Sequence, residues 1–550
     1  MKTKRVIVVG GGSAGWTAAA YLNAALNVGD QKVVEISLVE SPDVPRIGVG
    51  EATIPNIRHT LAVMGIDELD FMRAVDGTFK QSIRYVNWLD DKRKFYHHPF
   101  CRYGSGPGDD GGRRWLKSDR SVPFTNTVSA QPVICEMGLS PKMLGNENSV
   151  IPLEYAFHMD AVKFADYLNA FSTARGVTGY VDHVIGIDMH ENGNIAAIQT
   201  KSGKRMEADL FIDCTGFAAE LIGKKLGVGF TDCSKWLLCD RAITINVPYD
   251  HYYPGYVRPY TSATALSAGW VWEIPLQTRD SFGYVHSSAF ISADEAEKEL
   301  RAFVGNHTEP LNSGIVNFMV GRRQQPWTAN CIALGLSGGF IEPLESTGLY
   351  LAQVASGLLV EHFPYTDDMA PLAFRFNRIM RNRFYEILDF INMHYCLTRR
   401  KDTEFWRQVG RPEMINDRLR AKLDYWRIKP PSVSDFADQF FPTQAGMPPS
   451  SEMGPSETAG VAGDKRSPID TGGLWNHHSY EHILYGMDFL SDECREWYGE
   501  NRPRPDVLKE VLDAVNTAPD KLPPHDVWLK HMVGMADYAP ANMPVSDAVG

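Results

Sequence analysis

The first forty residues switch twice between two periods of hydrophobicity. RVIVV (residues 5–9) is a continuous β-branched run, GGGSAG interrupts it, and WTAAAYLNAAL (16–26) spaces its apolar positions as a helix does. VVEISLVE (33–40) then returns to a strand pattern. Strand, glycine turn, helix and strand in this order form the opening unit of a dinucleotide-binding fold. A second β-rich passage, residues 179–216, has short runs separated by NG and SG turns and ends in a buried-looking strand before Gly216. That is the pattern of the later half of a two-part FAD domain. From about 351 to 430 the period becomes helical, clearest in FNRIMRNRFYEILDFINMHY (376–395). Residues 442–472 are rich in Pro, Gly and Ser, cannot bury much apolar area, and are expected to form a mobile loop.

The pattern predicts a mixed α/β protein of Rossmann type. Its FAD-binding body would span 1–350, with substrate-facing segments inserted near 80–150 and 230–330. A mainly helical substrate region would span 351–550, closely attached to that body. Composition supports a large apolar core, since 44% of the 550 residues are hydrophobic and 22% charged. The net charge of −12 argues against nucleic acid or an anionic membrane as the main partner, because phosphate contacts need clustered Lys and Arg. No apolar run approaches the roughly 20 residues that cross a bilayer, and glycines break the first one at once, so a cytoplasmic protein is expected. The 8 cysteines form no CxxC pair, which leaves neither a zinc site nor a disulfide framework.

Gly10, Gly12 and Gly15 fall on GxGxxG between the first strand and helix, where missing side chains let backbone approach a pyrophosphate. Glu40 closes the second strand, placed to accept hydrogen bonds from ribose hydroxyls. This motif alone does not separate FAD from NAD. Asp213 and Gly216 in the strand-end segment DCTG, and Gly48 and Gly50 in GVGEATIP, are the features that favour flavin. His97 and His98 invite a metal reading, but neighbours on a strand point apart and no third ligand lies at useful spacing, so no metal is expected. His158 and Asp160 are read as packing and capping residues.

Three further segments are more specific. GWVWEIPL carries Trp270, Trp272, Ile274 and Pro275 as WxWxIP, FIEPLESTG spans 340–348, and GTFKQSI contains Lys80. Together they resemble the flavin-dependent halogenases of the tryptophan halogenase family over residues 5 to about 410, with a fainter echo in SYEHILYGMDF.

The resemblance implies an enzyme that uses reduced FAD, oxygen and chloride or bromide to make hypohalous acid beside the flavin. The oxidant would then travel to Lys80 and halogenate an electron-rich aromatic ring. Glu345 would stabilise the ring cation or take its proton, and Ser346 would bond the oxidant or that carboxylate. The backbone amides of Thr347 and Gly348 would bind halide. Trp270 and Trp272 would keep the organic substrate from the flavin, and His97 and Phe100 would line the substrate pocket. Ser13, Ala14, Ala52, Val184, Leu336 and Leu349 join the cofactor contacts. Because the usual tyrosine-rich lid is not evident in 442–472, indole or a larger indole derivative is expected rather than free tryptophan. Only one GxGxxG unit is visible, so a separate NADH-dependent flavin reductase is expected to supply reduced FAD by diffusion. A homodimer is compatible with these features. The alternative activity is a flavin monooxygenase that hydroxylates an aromatic ring, and the alternative outside catalysis is a nucleotide-binding redox sensor.

Overall fold

The computed structural model describes the chain apart from residues 1–2, 30, 45, 47, 91–93, 101–110, 146–150, 152, 433–434, 436–473, 492–506 and 542–550. The loop expected at 442–472 lies outside the described residues. The opening pattern folds as expected into β1 (Lys4–Val9), α1 (Ser13–Leu26) and β2 (Val34–Glu40). They are followed by β3 (Gly50–Ala52), β4 (Thr78–Lys80), β5 (Ser82–Val86), β6 (Phe95–Pro99) and β7 (Ala156–Asp160).

β1 lies inside a six-stranded sheet ordered 327–328, 331–333, 210–213, β1, β2, 178–181. Every pairing in it is parallel except the edge pair Trp327–Thr328 with Cys331–Ala333. A parallel strand covered on both faces must be apolar at every position. In β1, Val6 and Val8 join the core under α1, whereas Ile7 and Val9 join a second cluster on the opposite face. The parallel register brings the ends of β1, β2, Leu210–Asp213 and Cys331–Ala333 to one edge, where open α/β sheets bind their ligands.

A second, seven-stranded sheet runs 313–317, 241–248, 279–286, 269–275, 261–265, β5, β6. The small sheet β3–β7–β4 places Lys80 on a strand rather than on an exposed helix. Among the described residues, every helix or strand after Phe340 is a helix, including Thr347–Glu361, Ala370–Cys396 and His477–Gly486. Their apolar faces enter the same core as β1 and α1, with Phe390, Tyr480 and Trp528 in the cluster that holds Val6 and Trp16. No helix among the described residues is long and apolar enough to cross a membrane. Asp160 caps the helix Ala161–Thr173 by accepting from the amides of Val162 and Lys163, and His158 is bonded to Thr78 and Thr261.

Candidate active site

At the carboxyl edge of the parallel sheet lies a cavity of about 840 Å3. Of the residues expected to meet a cofactor, Gly10, Gly12, Ser13, Ala14, Glu40, Gly50, Ala52, Val184, Gly216, Leu336 and Leu349 form part of its wall. Gly10 has φ +114°, and a Cβ there would stand 2.2 Å from the Cys214 carbonyl oxygen, so only glycine allows the turn to close on the neighbouring strand. Gly15 works one step back, since its Cβ would meet the Gly10 oxygen at 1.9 Å. Gly11 had no assigned role, yet its Cβ would fall 1.9 Å from Oε2 of Glu40.

Two of the expected residues stand back from the cavity. Gly48 lies outside the wall, its carbonyl accepting from Asn246 at 3.1 Å, and Val49 takes its place. The Asp213 carboxylate is fully buried and accepts from the amides of Thr215, Leu221 and Ile222, satisfying the start of the next helical segment. Its neighbours Cys214, Thr215 and Gly216 face the cavity instead.

The wall fits a bound dinucleotide. A side chain at Gly12 would meet no protein atom within 4 Å and would project into the cavity. The first turn of α1 carries no acidic residue, so its amides and the positive end of the helix face the glycine turn unopposed. Arg46 adds a cation to the wall, 2.7 Å from Glu40.

The far end of the cavity reaches the loop that enters helix Thr347–Glu361. Glu345 (φ 67°) and Ser346 (φ 58°) are consecutive left-handed residues, a conformation that costs non-glycine residues about 1–3 kcal/mol each and concentrates at functional sites. The kink turns both side chains into the protein's centre, where they are 3% and 8% exposed. Ser346 lines the cavity and its Oγ accepts from Lys80 Nζ at 2.8 Å. Lys80 itself is fully buried, with Nζ 5.4 Å from the centre of the Phe100 ring. Gly348 forms part of the wall, whereas Thr347 is buried outside it.

Burial pulls the Lys80 ammonium down to about 7, against the opposing pull of Glu345 and Glu51. Burial would push Glu345 up, but His98 and His394 overcome it and hold this carboxyl well below the usual range. Nδ1 of His98 lies 2.9 Å from Oε2, Nε2 of His394 lies 3.3 Å from Oε1, and the Tyr85 hydroxyl donates to Oε1. Tyr85 stacks on His394 at 4.7 Å, and Tyr96 continues the stack at 5.1 Å. Glu51, in the wall on β3, is pushed by burial to about 7, with Lys80 acting against the shift.

His97 also needs correction, because it points away from this cluster. Its ring is held by Ser82 at 2.9 Å and Glu136 at 3.0 Å, while His98 faces Glu345. In the β5–β6 register Ile83 faces His98 and Tyr85 faces Tyr96, which puts these four residues on one side of the strand pair and His97 on the other. Trp270 and Trp272 both line the cavity, their ring centres 6.4 Å apart. Sequence reasoning missed Glu51, Tyr85, Glu342 and His394. Among the described residues there is no cluster of three or more His, Cys, Asp or Glu suited to a metal ion.

Comparison with known proteins gives a consistent result. Residues 5–501 match the family model described as tryptophan halogenase. Tryptophan 7-halogenase RebH of Lentzea aerocolonigenes is 37% identical over 448 residues, covering 78% of this chain and 82% of RebH. Tryptophan 6-halogenase SttH of Streptomyces toxytricini is 34% identical over 485 residues, covering 84% and 91%. Among solved structures, a tryptophan halogenase from Shewanella frigidimarina superposes with a TM-score of 0.84 at 31% identity, covering 97% of this chain and 98% of that one. The flavin-dependent tryptophan C-6 halogenase Tar14 superposes at 0.83 with 30% identity, covering 96% and 100%.

Proposed function

The chain belongs to the tryptophan halogenase family of flavin-dependent enzymes, and from that premise we propose that it halogenates the indole ring of tryptophan or a related compound at Lys80. The observation that carries this reading is the position of Ser346, which lines the large cavity and accepts a hydrogen bond from Lys80. An oxidant made in the cavity therefore meets the lysine where the two regions touch.

The glycine turn, the end of β2 and the Thr215–Gly216 segment would hold FAD, which in its reduced form would supply, with oxygen, the power to oxidise halide to hypohalous acid. The rest of the chemistry belongs to the chain's own residues. First-turn amides at Thr347 and Gly348 have no acceptor within their helix, and no acidic side chain occupies that turn, so a halide ion is favoured there. Trp270 and Trp272 fill the wall and keep an aromatic substrate out of the cavity. Lys80, with its ammonium held near 7, donates to the oxidant while Ser346 orients it. Phe100 and His98 flank the ring. Glu345 remains ionised because His98 and His394 hold it, so it can stabilise the positive ring intermediate and accept the proton displaced by halogen.

The relatives are named for tryptophan, which makes tryptophan the first substrate to test, ahead of the larger indole derivatives expected from the sequence. We place the supply of reduced FAD with a separate reductase. The experiment combines purified protein, FAD, NADH, catalase, oxygen and bromide or chloride with tryptophan or indole, with and without an added flavin reductase. Halogenated product is expected only when reductase and halide are both present. Sustained product without reductase would overturn the external supply, and hydroxylated product alone would favour a monooxygenase.

A further inference from the structure

Glu342 precedes the kinked pair by three residues and is fully buried. Its Oε1 accepts from the indole Nε1 of Trp270 at 2.7 Å and from the Tyr395 hydroxyl at 2.6 Å. Its Oε2 is buried without a partner among the described residues. One oxygen of this side chain thus joins three elements: the loop itself, strand Gly269–Pro275 and the long helix Ala370–Cys396. Trp88 completes the packing, with its ring 6.3 Å from Trp270 and 5.2 Å from Tyr395.

The other tryptophan of the wall is held differently. The buried Nε1 of Trp272 has no partner among the described residues, and its ring lies against Gly283, where a Cβ would meet Cζ2 at 2.0 Å. Packing fixes Trp272, but a hydrogen bond fixes Trp270.

We propose that Glu342 is a positioning residue that clamps the Trp270 indole to Tyr395 and thereby keeps the cavity wall closed to the organic substrate. The inference rests on the halogenase reading, in which that wall separates oxidant formation from ring chemistry. An acid with two donors on one oxygen and none on the other is suited to the neutral form, since an ionised carboxylate would leave a bare charged oxygen in an apolar site. Burial accordingly pushes Glu342 up to about 7, against the two donors. The titratable groups that face it are Tyr395, Cys239 and Tyr85, none of them a cation. Both donors bond the carboxylate at least as well as the acid, so the clamp holds on either side of neutrality while burial alone opposes the charge.

The test measures brominated product and hydrogen peroxide per reduced FAD consumed, without catalase, in wild type, Glu342→Gln and Glu342→Leu, each reconstituted with FAD and supplied with reductase, bromide and tryptophan. At pH 6.5 the Gln variant should couple flavin oxidation to product as wild type does, because its amide oxygen still accepts both donors. The Leu variant should fall by at least about fivefold, since two donors lose their acceptor and one buried hydrogen bond alone is worth about that factor. Between pH 7 and 9 the Gln variant should keep tracking wild type, because both donors find an acceptor in the amide as in the carboxylate, with Lys80 common to both. Wild-type coupling in the Leu variant, or loss in the Gln variant equal to that in Leu, would overturn the proposal. If the Leu variant fails to fold, Tyr395→Phe, which removes one of the two donors, decides alone, and wild-type coupling in it overturns the proposal. A wild type that consumes reduced flavin but yields no brominated product would refute the halogenase reading, which is a different failure.

Discussion

Glu342 and Glu345 lie on one loop and are both buried, yet their surroundings drive them in opposite directions. Beside the tryptophan wall, Glu342 meets only neutral donors and burial raises it to about 7. Beside Lys80, Glu345 meets His98, His394 and Tyr85, and is held below the carboxylate range. Desolvation opposes the charge in both places, so partners decide the outcome. The Glu342 end of the loop thus keeps a neutral acid behind the tryptophan wall, and the Glu345 end, which itself lines the cavity, keeps a charge.

The largest break in this contrast should come from Lys80→Ala, which removes the group at which we propose that oxidant and substrate meet. Halogenated product should disappear while FAD binding, followed by flavin fluorescence quenching, persists. Normal yield from the mutant would remove Lys80 from the chemistry. Glu345→Gln keeps the shape of the second carboxyl but not its charge, and turnover should fall about tenfold to a thousandfold. The check is the rate at saturating tryptophan and bromide, where an unchanged value would place Glu345 outside the reaction.

The pH dependence sharpens the lysine side. Lys80 is lowered to about 7, so if its ammonium donates to the oxidant, the rate per bound flavin should decline as pH rises through about 7. A rate that rises through the same region would instead assign the work to the neutral amine. On the cavity side, Gly283→Ala should push Trp272 off its seat, because the added carbon would lie 2.0 Å from the ring. More peroxide per product is expected, by a few-fold, with little change in FAD affinity.

The smallest effect is thermodynamic. Glu342 has its folded value raised from 4.5 to about 7, so the folded state binds more protons than the unfolded state between those values and wild type loses stability as pH rises across that window. Glu342→Gln should match wild type near pH 4.5 and exceed it at pH 8 by up to about 3 kcal/mol, the worth of that shift. Denaturant unfolding at the two pH values measures it, and equal differences at both would contradict the assignment.

The cavity side was far more legible in the sequence than the lysine side. GxGxxG, the acid ending β2 and the strand-end DCTG all act through local backbone geometry, which short segments specify. The charge cluster is assembled from residues distant in the chain, among them Lys80, Tyr85, His98, Glu345 and His394, and no local spacing announces it. His394 sits in a helix whose periodicity signals only burial. The His97 assignment was avoidable, since Phe100 and His98 share parity on an extended strand and His97 does not. Asp213 shows how one motif position serves two ends, since its carboxylate also accepts from the amides that begin the next helical segment.

On the proposed chemistry a small oxidant, not the flavin's own oxygen, reaches the substrate ring. That route is tested most directly by supplying wild-type enzyme with reduced FAD, oxygen-18 gas, bromide and tryptophan, and weighing the aromatic product. Bromotryptophan free of oxygen-18 is expected, and hydroxytryptophan carrying oxygen-18 would refute the small-oxidant route.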